Sequence, residues 1–235
     1  MLFYKFWRAV LVGLAYLLFG VRVRGRDRVP RSGVYILAPS HRSLLDIPFS
    51  ATVTRRRLRF MAKQELFGTP LGHWVFSHLG AVAVDRHGND RAALKAIEAA
   101  LRDGEPVVVF PEGTRHEGRE LGGLQSGASY LALKTGAPIV PVGVGGSERP
   151  VVRYHGIPWW SRVAVVVGEP IVTDVVAGTV KRSAIAALDA ELREHLQACL
   201  DEATAWSAQR VRQAGGRVTV SDGSVGEPRQ PGERI

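Results

Sequence analysis

The stretch Val34-Tyr35-Ile36-Leu37-Ala38-Pro39-Ser40-His41-Arg42-Ser43-Leu44-Leu45-Asp46 decides how the rest of the chain is read. Its first five residues are a continuous apolar run of the kind that makes a buried strand, and the apolar segment beginning at Leu44 reads as the start of a helix. Between them His41 and Asp46 stand at a strand-to-helix junction. At that spacing Asp46 can accept the Nδ1 proton of His41, fix the tautomer and leave Nε2 as a general base. Taken alone, the pair reads more simply as a loop histidine and a helix cap.

A second segment shifts that balance. Val107-Val108-Val109-Phe110 is another buried-strand run, and it stops at Pro111-Glu112-Gly113-Thr114-Arg115. A carboxylate, a permissive glycine, a hydroxyl and a guanidinium thus gather at a strand end, where open α/β sheets place their ligands. Arginine at such a place suits a phosphate, because its fork donates two parallel charge-assisted hydrogen bonds. His41 through Asp46 resemble the His-x-x-x-x-Asp motif of the glycerolipid acyltransferases of the 1-acyl-glycerol-3-phosphate acyltransferase type. Phe110 through Arg115 resemble the Phe-Pro-Glu-Gly-Thr-Arg motif of the same family. Two weaker matches follow in the family's order, Gly80 through Arg86 and Ala137 through Val142, and the resemblance spans roughly residues 25 to 170.

The resemblance implies a glycerol-phosphate acyltransferase-like fold, with His41 and Asp46 catalytic and Arg86, Glu112, Gly113, Thr114 and Arg115 binding the acceptor. It also implies acyl-CoA or acyl carrier protein as co-substrate, with no further cofactor and no metal. Arg86 follows the apolar run Ala81 to Val84, so it stands at a strand end as Arg115 does, and two such arginines can clamp one phosphate. For Arg86 a salt bridge with Asp85 or Asp90 is the competing reading. Two departures from the family pattern are plain. Ser40 stands where asparagine is common, and Leu124-Gln125-Ser126-Gly127 replaces a stretch often rich in lysine.

Further apolar runs at 58–62, 79–84, 139–144 and 163–167 read as strands, with helical stretches at Asp90 to Leu101 and Gly127 to Lys134 between them. Strands alternating with helices predict an α/β fold, a mostly parallel central sheet flanked by helices. Ser183 to Arg212 reads as a long amphipathic helix, with Ile185, Leu188, Leu192, Leu196 and Leu200 on the face that closes the core. At 235 residues the chain suits a single sizeable core. The expected organisation is a membrane-associating helix over 1–24, an acyltransferase domain over 25–212 and a disordered tail over 213–235.

Thirty-one Lys and Arg against 22 Asp and Glu give a formal charge of +9, which implies an anionic partner: nucleic acid, an anionic bilayer or phosphorylated substrates. Arginine-rich genomic composition accounts for it equally. The basic cluster Arg55, Arg56, Arg57, Arg59 and Lys63 reads first as a solvated edge, and second as a site for coenzyme A phosphates or an acidic carrier protein. Residues Ala9 to Val21 form an uncharged, mostly apolar run between Lys5 and Arg8 on one side and Arg22, Arg24, Arg26 and Arg28 on the other. That run is short for a span, and arginines occupy the place of a signal-cleavage site, so an interfacial or re-entrant helix fits better. A buried helix of a soluble domain is the alternative. Pro158-Trp159-Trp160 reads as a second interfacial anchor or as a packed loop. The single cysteine, Cys199, excludes an internal disulfide and falls on an apolar helix face, a poor place for a nucleophile.

The chain has no Gly-x-Ser-x-Gly elbow, no phosphate loop ending in Gly-Lys-Ser/Thr and no His-Glu-x-x-His pair, so serine acyl-enzyme chemistry, nucleotide hydrolysis and a zinc site lack support. The expected reaction moves a fatty acyl group from a thioester to the free hydroxyl of 1-acyl-glycerol-3-phosphate. Its expected partners are an anionic membrane surface at the cytoplasmic face of the plasma membrane, the lysophospholipid acceptor and the acyl donor, but not nucleic acid. Two other readings stay open: the same chemistry on glycerol-3-phosphate or a lyso-aminolipid, and a catalytically silent basic protein that binds lipid or nucleic acid.

Overall fold

The structure, a computed structural model, describes residues 2–84, 90–148 and 162–213. Among these residues one sheet of seven strands runs in the order β1 (Arg22–Arg24), β7 (Ala164–Val167), β6 (Ile139–Gly145), β2 (Ile36–Pro39), β5 (Val107–Val108), β3 (Arg59–Lys63) and β4 (Ala81–Val84). Every pairing is parallel except that of β6 with β7. The expected α/β architecture is therefore present. The neighbour relation that matters for function is β2 with β5, where Ile36 aligns with Val107 and Leu37 with Val108. Because the two strands run the same way, the loops that leave their C-terminal ends open side by side.

Both faces of the sheet are covered over its central strands, which is why β2, β5, β6 and β7 read as apolar runs. Ile36, Ala38, Val107, Val109 and Ile139 face a core shared with α4 (Asp90–Arg102), α5 (Gly127–Thr135) and α6 (Arg182–Gln213). Tyr35, Leu37, Val108, Val140, Val142 and Val144 face the opposite core, shared with α1 (Leu2–Phe19) and α2 (Asp46–Ser50). Helix α6 buries Leu188, Leu192, Leu196, Leu200, Ala203, Ser207 and Val211, a stripe at steps of three and four residues. It crosses β6 so closely that a Cβ at Gly143 or Gly145 would collide with the backbone of Cys199 or Ala203.

Two elements do not announce themselves in the sequence. Strand β1 has one apolar residue, Val23, and exists through its parallel pairing with β7. Helix α3 (Pro70–His78) begins at Thr69, whose hydroxyl accepts the Gly72 N–H, with Pro70 in the first turn. The helix expected from Leu44 is the short α2, which starts at Asp46.

Helix α1 sits on the domain along a narrow stripe. The Tyr4 hydroxyl accepts the Leu58 N–H at 3.2 Å and Arg8 donates to the carbonyl of Ala51 at 2.8 Å and to that of Thr54. Near the other end Phe19 meets Phe49 edge-on, with ring centroids 5.4 Å apart. Most of the helix is otherwise exposed, and by length and composition it is long and apolar enough to cross a membrane. The arginines after it are largely engaged within the fold. Arg24 pairs with Glu202 at 3.0 Å, Arg26 donates to the Tyr16 hydroxyl at 2.5 Å and Arg28 pairs with Glu169 at 2.7 Å. The Trp159-Trp160 pair, Arg86 and the tail beyond Gln213 lie outside the described residues.

Candidate active site

The loop after β2 and the loop after β5 meet, and a network of buried charges joins them. His41 Nδ1 lies 3.2 Å from Asp46 Oδ2; the ring is 12% exposed and the carboxylate 0%. Asp46 Oδ2 also accepts the backbone N–H groups of Arg42 and Ser43, each at 2.6 Å. A single carboxylate oxygen thus holds the turn that presents the histidine and faces its ring. In the neutral ring the Nδ1 proton goes to Asp46, which leaves Nε2 as the basic nitrogen. One face of the imidazole lies against Phe110, with centroids 4.2 Å apart.

Glu112 arrives from the β5 loop and is entirely enclosed. Its Oε1 accepts the His41 backbone N–H at 2.8 Å, and its Oε2 accepts from Arg42 at 3.0 Å and from the Gly122 N–H at 2.9 Å. Arg42, whose side chain is 3% exposed, donates further to the carbonyls of His116 at 3.1 Å and Glu120 at 2.9 Å. The His116 N–H returns to the His41 carbonyl at 3.0 Å. The resemblance assigned Glu112 to the acceptor. In the structure both its oxygens accept from groups of the protein, and these bonds join the histidine loop to the glycine-threonine-arginine loop.

The electrostatic consequence follows from the count of buried charges. One guanidinium against two carboxylates leaves the cluster of Arg42, Glu112 and Asp46 one negative charge in excess. His41 borders that cluster, in a region screened little by solvent. Asp46 is the nearer carboxylate, and its Oδ1 has no hydrogen-bond partner among the described residues.

The other predicted residues divide cleanly. Gly113 has φ +68, the left-handed conformation, and a Cβ there would press on the Gln125 side chain at 3.0 Å. Thr114 and Arg115 are exposed, with Thr114 Oγ1 3.3 Å from His116 Nε2. The Arg115 guanidinium makes no hydrogen bond or ion pair among the described residues, and the residue is exposed to solvent. Ser40, in place of asparagine, is buried and its Oγ accepts the Val144 N–H at 3.0 Å, which ties the loop back to β6. Cys199 is buried behind β6, where desolvation pushes its thiol up to about 11, so it offers no thiolate for catalysis.

Sequence reasoning missed Arg42. It stands inside the first motif, yet its partner is 70 residues away, and no local spacing links a loop arginine to a distant glutamate.

A family model described as Acyltransferase matches residues 20–145, more than half of the chain and a span that contains both loops. The chain belongs to the acyltransferase family. Among curated relatives of this acyltransferase, the chloroplast 1-acyl-sn-glycerol-3-phosphate acyltransferase of Arabidopsis thaliana is 29% identical over 173 residues, covering 71% of this chain and 47% of the plant protein. The 1-acyl-sn-glycerol-3-phosphate acyltransferase of Bacillus subtilis is 27% identical over 198 residues, covering 83% of this chain and 95% of that protein. The chain thus spans about half the length of the plant relative and nearly all of the bacterial one. In structure the acyltransferase is similar to the crystal structure of the 1-acyl-sn-glycerophosphate acyltransferase of Thermotoga maritima, with a TM-score of 0.62 and 24% identity. That match covers 92% of this chain and 83% of the other, and it supports the fold.

Proposed function

We propose that this acyltransferase moves a fatty acyl group from a thioester, acyl-CoA or acyl carrier protein, to the free hydroxyl of 1-acyl-glycerol-3-phosphate and so makes phosphatidic acid. The observation that carries this reading is the His41–Asp46 pair at 3.2 Å, set between two strand ends and joined to the loop that carries Arg115. His41 Nε2 takes the hydroxyl proton as the acceptor oxygen attacks the thioester carbonyl carbon. The carbon–sulfur bond breaks, and the imidazolium returns its proton to the departing thiolate. Asp46 orients the ring and stabilises the imidazolium, and the exposed Arg115, with Thr114 and the Gly113 turn, receives the acceptor phosphate. Arg86 is assigned to the same phosphate from the sequence alone.

A thioester is activated enough for direct attack, so the reading requires neither a covalent enzyme intermediate nor a cofactor. General-base help supplies a factor of about 10²–10⁴, and positioning by the phosphate contacts supplies much of the rest. Both substrates carry fatty chains, which suits a site held at a bilayer by α1, here assigned to the anionic cytoplasmic face of the plasma membrane. The deciding experiment is mass spectrometry of the products formed from lysophosphatidic acid, glycerol-3-phosphate and a lyso-aminolipid in competition, with either thioester donor. Phosphatidic acid as the dominant product supports the proposal. Preferred acylation of another acceptor replaces the substrate while keeping the chemistry, and no acylation of any acceptor overturns both.

A further inference from the structure

We infer that α3 is a second membrane-contacting element, lying beside α1 in the interface of an anionic phospholipid bilayer. Helix α3 reads Pro-Leu-Gly-His-Trp-Val-Phe-Ser-His, and none of its nine residues is buried. Leu71 is 71% exposed and Trp74 47%, and Leu66, in the turn before the helix, is 44%. A soluble surface seldom presents large apolar side chains so close together, and a patch of that kind marks a site that something covers.

The patch is continuous with the exposed face of α1. Phe3 of α1 packs edge-on against Trp74 at 4.6 Å and against His78 at 5.5 Å. Leu2 and Phe6, on the same part of α1, are 84% and 61% exposed. Two elements far apart in sequence thus form one apolar platform, with an indole at its seam in the position that suits the boundary between headgroups and chains.

Charge selects the occupant. The basic cluster that follows α2 reaches this seam: Arg57 donates to the Ser77 carbonyl of α3 at 3.3 Å and its guanidinium lies 5.9 Å from the Tyr4 ring of α1. Lys5 and Arg55 are exposed and make no ion pair among the described residues. Aromatic and aliphatic side chains with a cation at their seam, Arg57, which also pairs with Glu105 at 3.5 Å, and with Lys5 between Phe3 and Phe6 on α1 match an anionic lipid surface, with the chains meeting the apolar residues and the phosphates meeting the cations. This extends the membrane reading of α1 and rests on it.

The test uses the full chain with Cys199→Ala and a single new cysteine bearing an environment-sensitive fluorophore, at Leu71→Cys in α3, Leu17→Cys in α1 or Glu194→Cys in α6. Vesicles of phosphatidylcholine and phosphatidylglycerol carry doxyl quenchers on their acyl chains. The expected result is a blue shift and chain-level quenching at positions 71 and 17, with neither at 194. In unlabelled protein, Leu71→Glu is expected to lower vesicle partitioning about tenfold, with an unchanged melting temperature because Leu71 is exposed. Quenching at 17 but not at 71 overturns the inference and leaves α1 as the anchor. Quenching at neither overturns both readings. A probe at 71 already shielded before lipid is added, in a chain that sediments as a dimer, assigns the face to a second copy and also overturns the inference.

Discussion

Glu112→Gln separates a buried clamp from an acceptor ligand. The carboxylate is 0% exposed and meets three donors, the His41 N–H, the Arg42 guanidinium and the Gly122 N–H. An amide keeps one acceptor oxygen and turns an NH₂ toward donors, which leaves the Arg42 charge buried without its counter-ion. Removing one partner of a buried ion pair costs about 3–5 kcal/mol. For a chain of this size each kcal/mol lowers Tm by about 2–4 °C, so the variant is expected to melt about 6–20 °C lower in a calorimetric scan. The His41 backbone loses its anchor as well, and a displacement of about 1 Å at the base costs about 10²-fold in kcat. Since Glu112 has no free oxygen to offer the acceptor, its KM should stay within about twofold. Thiol-release kinetics in detergent micelles read both constants. A KM for lysophosphatidic acid raised about tenfold or more, at unchanged Tm, would refute the clamp and return Glu112 to the phosphate. As a second check, Arg42→Met combined with Glu112→Leu should cost less than the sum of the single changes, because neither charge is then stranded.

Two further outcomes follow from exposure and burial. Arg115→Ala should raise the acceptor KM about tenfold or more with no change in Tm, since its side chain is exposed and has no partner among the described residues; an unchanged KM removes Arg115 from the phosphate site. Burial pushes the Cys199 thiol from 9.0 up to about 11, so the folded chain holds the proton that the unfolded chain releases first. The stability given by the neutral thiol is therefore intact below pH 9 and lost as pH rises from 9 to 11. Alkylation of Cys199 by iodoacetamide at mildly alkaline pH should require denaturant, and labelling of the native chain at the rate of a free thiol would contradict its burial.

Legibility in the sequence followed the range of the interaction responsible. Strands β2, β5, β6 and β7 were readable because both faces of the sheet are covered over its central strands, so each leaves an apolar run. The long helix α6 was readable from its own periodicity, and its observed bounds, Arg182–Gln213, extend the expected ones by one residue at each end. Strand β1 was not, since Arg-Val-Arg becomes a strand only through β7, some 140 residues later. His41 and Asp46 are five residues apart and their contact could be read locally, whereas the pairing of Arg42 with Glu112 depends on β2 and β5 lying side by side. The basic cluster also resolves only in three dimensions. Arg57 and Arg59 share Glu105, at 3.5 and 2.9 Å, and Arg56 donates to the Gly33 carbonyl, so among the four arginines of what reads as a uniformly charged edge, three are engaged within the fold and Arg55 makes no ion pair among the described residues.

The central claim is that His41, oriented by Asp46, is the base for acyl transfer to a lysophospholipid hydroxyl. The most direct measurement is thiol release from an acyl-CoA, or from acyl carrier protein thioester, in micelles with and without lysophosphatidic acid, comparing the native chain with His41→Ala and Asp46→Asn. The account predicts release that depends on the acceptor, falling about 10²–10⁴-fold in both variants, with circular dichroism spectra like that of the native chain. Acceptor-dependent release that persists in a folded His41→Ala would contradict it, and release without acceptor would make the chain a thioesterase.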